Sequence, residues 1–207
     1  MTDNLIDALE QGPDPAAREA DHAHVTELTV QLGDRASAEG DVDVVHRLVD
    51  SPLGPLLVAA TDRGLVRVAF DEVEGHESVL ESLVRSYGPR VLPARSRLDI
   101  VHRQLDAYFV GDRHHFDVPL DLRRTSGFRA TVLDHLREIP YGTTETYATV
   151  ATASGSPKAV RAVGTACATN PLPVVVPCHR VVRSDGGLGG YLGGVEAKRA
   201  LLDLEGA

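Results

Sequence analysis

The sequence predicts an α+β protein. A small unit of strands and helices covers residues 44–122, a mainly helical unit with a helix-turn-helix covers 123–207, and an acidic extension covers 1–43. Three observations carry this reading. VVHRLVD, PLLVAAT and LVRVAFD are short β-rich runs separated by the turn sequences SPLGP and TDRG. Later segments change to a spacing of three and four between apolar residues, the period of a helix with one buried face. Beyond residue 122 the capping residues and glycine stops mark a succession of short helices.

In the extension, the two prolines and the glycine of QGPDP break the chain early. AAREADHAHVTELTVQLGDRASAEG then puts Val25, Leu28 and Leu32 at helical spacing, with Gly33 as a stop, so one or two short helices are expected. Two roles fit them: a cap held on the next unit by that stripe, or a tethered acidic arm that competes with phosphate. A spaced apolar stripe favours the cap. His22 and His24 read as exposed histidines rather than metal ligands. The three β runs make an antiparallel meander. ESVLESLVRSYG follows as a helix with Val79, Leu80, Leu83 and Val84 on one face. ARSRLDIVHRQLDAYFVGD is another, with Leu98, Val101, Leu105 and Phe109 in a stripe, and HHFDVPLDL reads as a returning strand.

The second unit opens with SGFRATVLDHLREIP, whose Phe128, Val132 and Leu136 fall four apart before Pro140 ends the helix. Thr146 can cap YATVATAS, which stops at Gly155. Ser156 can cap SPKAVRAVGTACAT, with Pro157 in the favoured first position. Two short helices joined by a glycine-containing turn form a helix-turn-helix candidate. The second carries Lys158 and Arg161 near its start and small residues elsewhere. Small residues suit close approach to a partner and equally suit close helix packing.

A chain of 207 residues is ample for one or two domains with a hydrophobic core. No apolar run reaches membrane-spanning length, and MTDNLIDALE lacks the pattern of a secretory signal. The expected location is therefore cytoplasmic, where Cys167 and Cys178 stay reduced rather than forming their one possible disulfide. Two cysteines exclude an all-cysteine zinc site. The net charge of −9 is unevenly spread: residues 1–46 carry eleven acids and two bases, whereas 123–207 carry seven acids and ten bases. The surplus of base around Cys178 is weak evidence for a phosphate-binding face.

NPLPVVVPCHRVV carries the chemistry. Asn170-Pro171 ends the preceding helix, LPVVV reads as an extended apolar run through the core, and Pro177 delivers Cys178 at its end. A thiol buried among apolar groups is inert; one beside a base is a nucleophile. Spacing alone leaves both open. Six glycines between Gly186 and Gly194 let main chain approach a flat ligand on which Tyr191 can stack, and Glu205 can orient His179.

Residues 123–207 resemble the O6-alkylguanine-DNA alkyltransferases in PCHRV at 177–181, RAVG at 161–164, NP at 170–171, GGYLGG at 189–194 and LLDLEG at 201–206, in matching order and spacing. Residues 44–122 resemble, less regularly, the family's N-terminal domain with its RNase-H-like sheet. The resemblance implies direct, single-turnover repair of duplex DNA. The alkyl group of O6-alkylguanine, with O4-alkylthymine as a further candidate lesion, passes irreversibly to Cys178, with no cofactor, no metal and no membrane, in a monomer. In it His179 takes the thiol's proton through a water, Glu205 orients His179, and Asn170 is the hinge between helix and active-site strand. Arg161 fills the space left by the flipped base, and Tyr147 crowds the phosphate. Lys158, Ala162 and Gly164 lie along the DNA-binding helix. Tyr191, Val181, Leu192 and Pro173 form the guanine pocket. Leu192 stands where the family often has a small residue, which would reshape the pocket. The alternative is a recognition protein that flips the lesion without accepting its alkyl group; relatives of that kind lack the cysteine.

Overall fold

The computed structural model describes residues 15–207. The break expected in QGPDP lies outside these residues except for its last proline. A single helix, α1 (Pro15–Glu39), leads into a four-stranded sheet made of β1 (Val44–Val49), β2 (Leu56–Thr61), β3 (Gly64–Phe70) and β4 (Val91–Pro93), in the order β3-β2-β1-β4. β1, β2 and β3 pair antiparallel as the meander, and β4 runs parallel to β1. Every residue of β2 is buried because both faces of the sheet are covered. Leu56, Val58 and Ala60 face the main core, while Leu57 and Ala59 face Val79 and Leu83. Those two residues belong to α3 (His76–Tyr87), which follows the single turn α2 (Asp71–Glu74). Val84, expected on the buried face, is 41% exposed.

After a short 3-10 turn at Ser96–Leu98, α4 (Asp99–Phe109) buries Val101, Leu105 and Tyr108 together with Leu98. Tyr108 takes the deepest place and leaves Phe109 partly buried. The returning strand expected at HHFDVPLDL reduces to one bridge, Leu65 to Leu120. The second unit comprises α5 (Gly127–Leu136), β5 (Glu145–Thr146), α6 (Tyr147–Ala153), α7 (Val160–Ala168), β6 (Val181–Val182) and α8 (Gly194–Glu205), with β5 parallel to β6. Its Val132, Leu133, Leu136, Val163, Val176 and Leu201 belong to the same core as β2 and α4, so the two units share one apolar interior.

The extension differs from its reading. α1 does not stop at Gly33 but runs to Glu39, and Val25, Leu28 and Leu32 are 60%, 50% and 56% exposed. The buried edge is Val30, Gly33 and Ser37 instead. Gly33 is needed there because a Cβ would lie 1.9 Å from the carbonyl oxygen of Pro93, so the helix backbone rests directly on β4. Asp34 fastens the contact by accepting from the backbone N–H groups of Arg95 and Ser96. Backbone proximity, which apolar periodicity does not report, decided which face is buried.

Candidate active site

Asn170 follows the C-terminal end of α7 and is fully buried. Its amide nitrogen donates to the carbonyl of Val176 at 2.8 Å and to Cys178 Sγ at 3.2 Å, while its oxygen accepts from the Leu172 N–H. One side chain therefore closes the Leu172–Pro177 segment on itself and touches the thiol. That segment is not the extended run expected from LPVVV. It folds into a turn, with the Val176 N–H donating to Leu172 O at 2.7 Å and Val174 at φ +72°. A β-branched residue in the left-handed region is strained by about 1–3 kcal/mol. The strain lies four residues before the thiol, in a loop held by Asn170.

Cys178 opens a 3-10 turn, Cys178–Arg180, and is 2% exposed. Burial pushes its thiol up to about 11, against the opposing pull of the Asn170 amide and the Lys198 ammonium. His179 is wholly buried; its Nε2 lies 2.9 Å from Glu205 Oε1, and its Nδ1 is buried without a partner among the described residues. With the proton on Nε2 directed at the carboxylate, Nδ1 is left as an acceptor. Burial lowers the imidazole's pKa more than Glu205 raises it, so the ring is neutral. Glu205 ends α8 and receives further bonds from Arg180 Nε and a terminal nitrogen of Arg180, each at 2.9 Å, from Tyr108 Oη at 2.6 Å and from the Gly142 N–H at 3.2 Å. Burial alone would raise its carboxyl; the bonds from His179, Arg180 and Tyr108 hold it well below the usual carboxylate range.

The structure thus brings Asn170, Cys178, His179 and Glu205 into one buried set. It also adds Arg180, Lys198 and Tyr108, to which the sequence reading assigned no role. Lys198 Nζ donates to the carbonyls of Val181, at 2.6 Å, and Leu188, tying β6 to the glycine loop. A signal for it existed: Ala197, Lys198, Leu201, Leu202 and Glu205 form one helical stripe, and all five are buried. Tyr108 had no comparable signal, because its partner lies 97 residues away.

A cavity of about 450 Å³ opens beside this set, lined by Tyr147, Gly164, Ala168, Gly190, Tyr191 and Leu192. Val181 and Pro173 are buried and do not line it. Tyr191 stands edge-on to both His179 and Phe70. The glycines serve the protein's own contacts: a Cβ on Gly189 would lie 2.8 Å from the Tyr147 hydroxyl, and one on Gly193 2.6 Å from the Phe70 ring. Thr146 caps α6, accepting from the Thr149 N–H at 3.1 Å. The helix expected from Ser156 begins instead at Val160, so Pro157 and Lys158 lie in the turn between α6 and α7. Lys158, Arg161, Ala162 and Ala168 are exposed, and Val163, Ala166 and Cys167 are buried, which leaves a small-residue face with two cations at its start. Both cysteines are free. Among the described residues no group of three histidine, cysteine or acidic side chains is placed to hold a metal, and no helix is long and apolar enough to cross a membrane.

Residues 44–122 match the ribonuclease-like domain of 6-O-methylguanine DNA methyltransferase, and residues 127–207 match the DNA binding domain of the same family. A methylated-DNA–protein-cysteine methyltransferase of Methanosarcina acetivorans is 40% identical over 162 residues, 78% of this chain and 98% of the relative. One from Mycobacterium tuberculosis is 42% identical over 166 residues, 77% of this chain and 91% of the relative. The crystal structure of Mycobacterium tuberculosis O6-methylguanine methyltransferase aligns with a TM-score of 0.69 at 40% identity, covering 79% of this chain and 93% of that one. The Mycobacterium tuberculosis protein solved in complex with DNA aligns with a TM-score of 0.66 at 39% identity, covering 78% and 92%.

Proposed function

Because the chain belongs to the 6-O-methylguanine DNA methyltransferase family, we propose that it repairs O6-alkylguanine in duplex DNA by moving the alkyl group onto Cys178. The observation that carries the assignment is the relay: a buried thiol bonded to Asn170, and beside it an imidazole whose Nε2 is held by Glu205 while Nδ1 stays free. A thiol near 11 leaves on the order of one molecule in 10⁴ as thiolate at pH 7, so a base is required rather than merely helpful. The thiol's proton passes through a water to His179 Nδ1, the sulfur electron pair attacks the alkyl carbon, the bond from that carbon to O6 breaks, and the purine leaves as an anion that is neutralised when the imidazolium gives its proton back through water. The imidazolium formed beside Glu205 is stabilised where it arises. The product is a thioether that none of these groups can reverse, so each molecule acts once and needs no cofactor.

The lesion cannot be reached inside a stacked duplex, and the nucleotide must turn out into the cavity beside Tyr191 and Leu192. The exposed small residues of α7 suit the minor groove, Arg161 suits the gap left in the stack, and Tyr147 at the cavity rim suits the displaced phosphate. Leu192 in the wall narrows the choice of alkyl group. The reading takes the protein as a cytoplasmic monomer: the thiols are free, and one chain supplies every group of the relay. The test is duplex DNA carrying radiolabelled O6-methylguanine. Label on the protein, lost in Cys178→Ala while DNA binding persists, is expected. Label transferred to Cys167 in that variant overturns the assignment, and bound but unreacted DNA with the native chain marks a recognition protein instead.

A further inference from the structure

We propose that Tyr108 is a positioning residue for the transfer, through which the sheet half of the molecule sets the strength of the base in the helical half. The proposal rests on the reading of Cys178 and His179 above. Tyr108 belongs to α4, in the first unit, yet its hydroxyl donates at 2.6 Å to Glu205 Oε1, the same oxygen that receives His179 Nε2 at 2.9 Å. Its ring is fully buried and is wedged by Phe109, Phe116 and Tyr141, so the hydroxyl has no other direction to take. With a terminal nitrogen of Arg180 also at 2.9 Å, three donors on that one carboxylate oxygen share its charge. What the phenol takes, the imidazole does not, and a weaker carboxylate keeps His179 neutral and ready to accept.

The groups facing this pair bear on the same balance. Arg180 spans both carboxylate oxygens, and Gly142 donates to the second. Tyr141 donates to the Leu204 carbonyl and carries His114 stacked on its ring at 4.1 Å. Lys198 lies on the thiol side and, with Arg180, disfavours a charged His179, and Tyr191 closes the space edge-on. Arg180 is itself anchored on the Ile139 carbonyl within the helical half. Among the side chains that bond the carboxylate, Tyr108 is the one that comes from the other unit.

Tyr108→Phe removes the hydroxyl and keeps the ring. Without that bond the carboxylate is held less firmly and orients the imidazole less well, so transfer at the pH plateau should slow by about ten-fold. The acid limb of the rate profile, set by protonation of His179, should move up by roughly half a unit to one unit, because the carboxylate then draws more on the imidazole. Iodoacetamide labelling of Cys178, read by mass at its peptide, should show the same shift in limb. Phe116→Leu, which loosens the same wedge without touching the carboxylate, should lower thermal stability and leave the limb in place. A wild-type rate and limb in Tyr108→Phe, or a loss of rate with the limb unmoved, overturns the proposal, as does an equal shift in Phe116→Leu. If the variant is too unstable to assay, proton NMR of the native chain decides: a downfield, slowly exchanging Tyr108 hydroxyl proton must be present and must shift as His179 titrates, and its absence or indifference rejects the idea. Failure of the native chain to take alkyl groups would reject the functional reading, while the iodoacetamide profile would still judge Tyr108.

Discussion

The two halves of the molecule share one core and fill it differently. The sheet half buries Val45, Leu56, Val58, Leu65 and Val68 with little polar company beyond His46, Thr61, Gln104 and Asp121. The helical half buries Asn170, His179, Arg180, Lys198 and Glu205 in the same interior. Charges inside a core are costly unless each is bonded, and here the carboxylate, the guanidinium and the ammonium all are. The contrast teaches where to look for function: the interior of the first half is almost wholly apolar, and the bonded polar set buried in the second is where the proposed chemistry is placed.

The harshest way to break the contrast is Glu205→Gln. Transfer should slow by about 10²–10⁴-fold, because His179 loses its orienting acceptor. Stability should fall as well, by about 3–5 kcal/mol, because buried Arg180 is left without its counter-charge. Single-turnover rates and chemical denaturation check both, and a native rate would remove Glu205 from the relay.

Acid titration sharpens the same contrast. Burial lowers His46 in β1 to about 4, and burial also lowers His179. A histidine whose pKa is depressed on folding contributes stability that is complete above about 6.5 and is lost as pH falls through its folded value. Between pH 6.5 and 4, His46 should therefore cost up to about 3 kcal/mol. The carboxylates act lower: Asp121 sits at about 2, held down chiefly by its bonds from Arg123, and Glu205 is also depressed, so their contributions fade only below about 4. Melting temperatures of His46→Leu across that window should lose the sheet half's share and keep the share of His179. A slope identical to the native one would place the acid sensitivity wholly in the relay.

Smaller effects test the edges. Gly33→Ala drives a Cβ into the Pro93 carbonyl and should cost about 1–3 kcal/mol by thermal melting, with transfer rates unchanged. Arg161→Ala should lower repair of the paired lesion roughly ten-fold, while reaction with free O6-benzylguanine barely changes, since only a stacked base needs a replacement. Equal losses on both substrates would make Arg161 part of the fold. Leu28→Ser, on the exposed stripe of α1, should move stability by less than about 0.5 kcal/mol; a large loss would mean that the stripe is covered in solution.

Much of the framework was readable in advance because it is written in short-range chemistry. β-rich runs between turn sequences marked β1 to β3, Thr146 announced its cap, and PCHRV marked the thiol. The readings that failed did so where an apolar pattern met a backbone constraint. LPVVV has the composition of a strand but folds as a turn, because Asn170 bonds across it and Val174 accepts a strained φ. The stripe of α1 has helical spacing but faces outward, because Gly33 brings the other face against β4.

By itself, then, the sequence determined the α+β class, most element types and the residue that carries the thiol. These depend on propensity, on period and on neighbours a few positions away. Only the tertiary structure decided what meets at the carboxylate that holds His179. Tyr108, Gly142, Arg180 and Glu205 come from a helix of one unit and from a loop, a turn and a helix of the other. Their meeting is a matter of directional hydrogen bonds across long stretches of chain. Linear patterns record which side chains prefer to be buried, but not which buried polar atoms will find one another once the core closes.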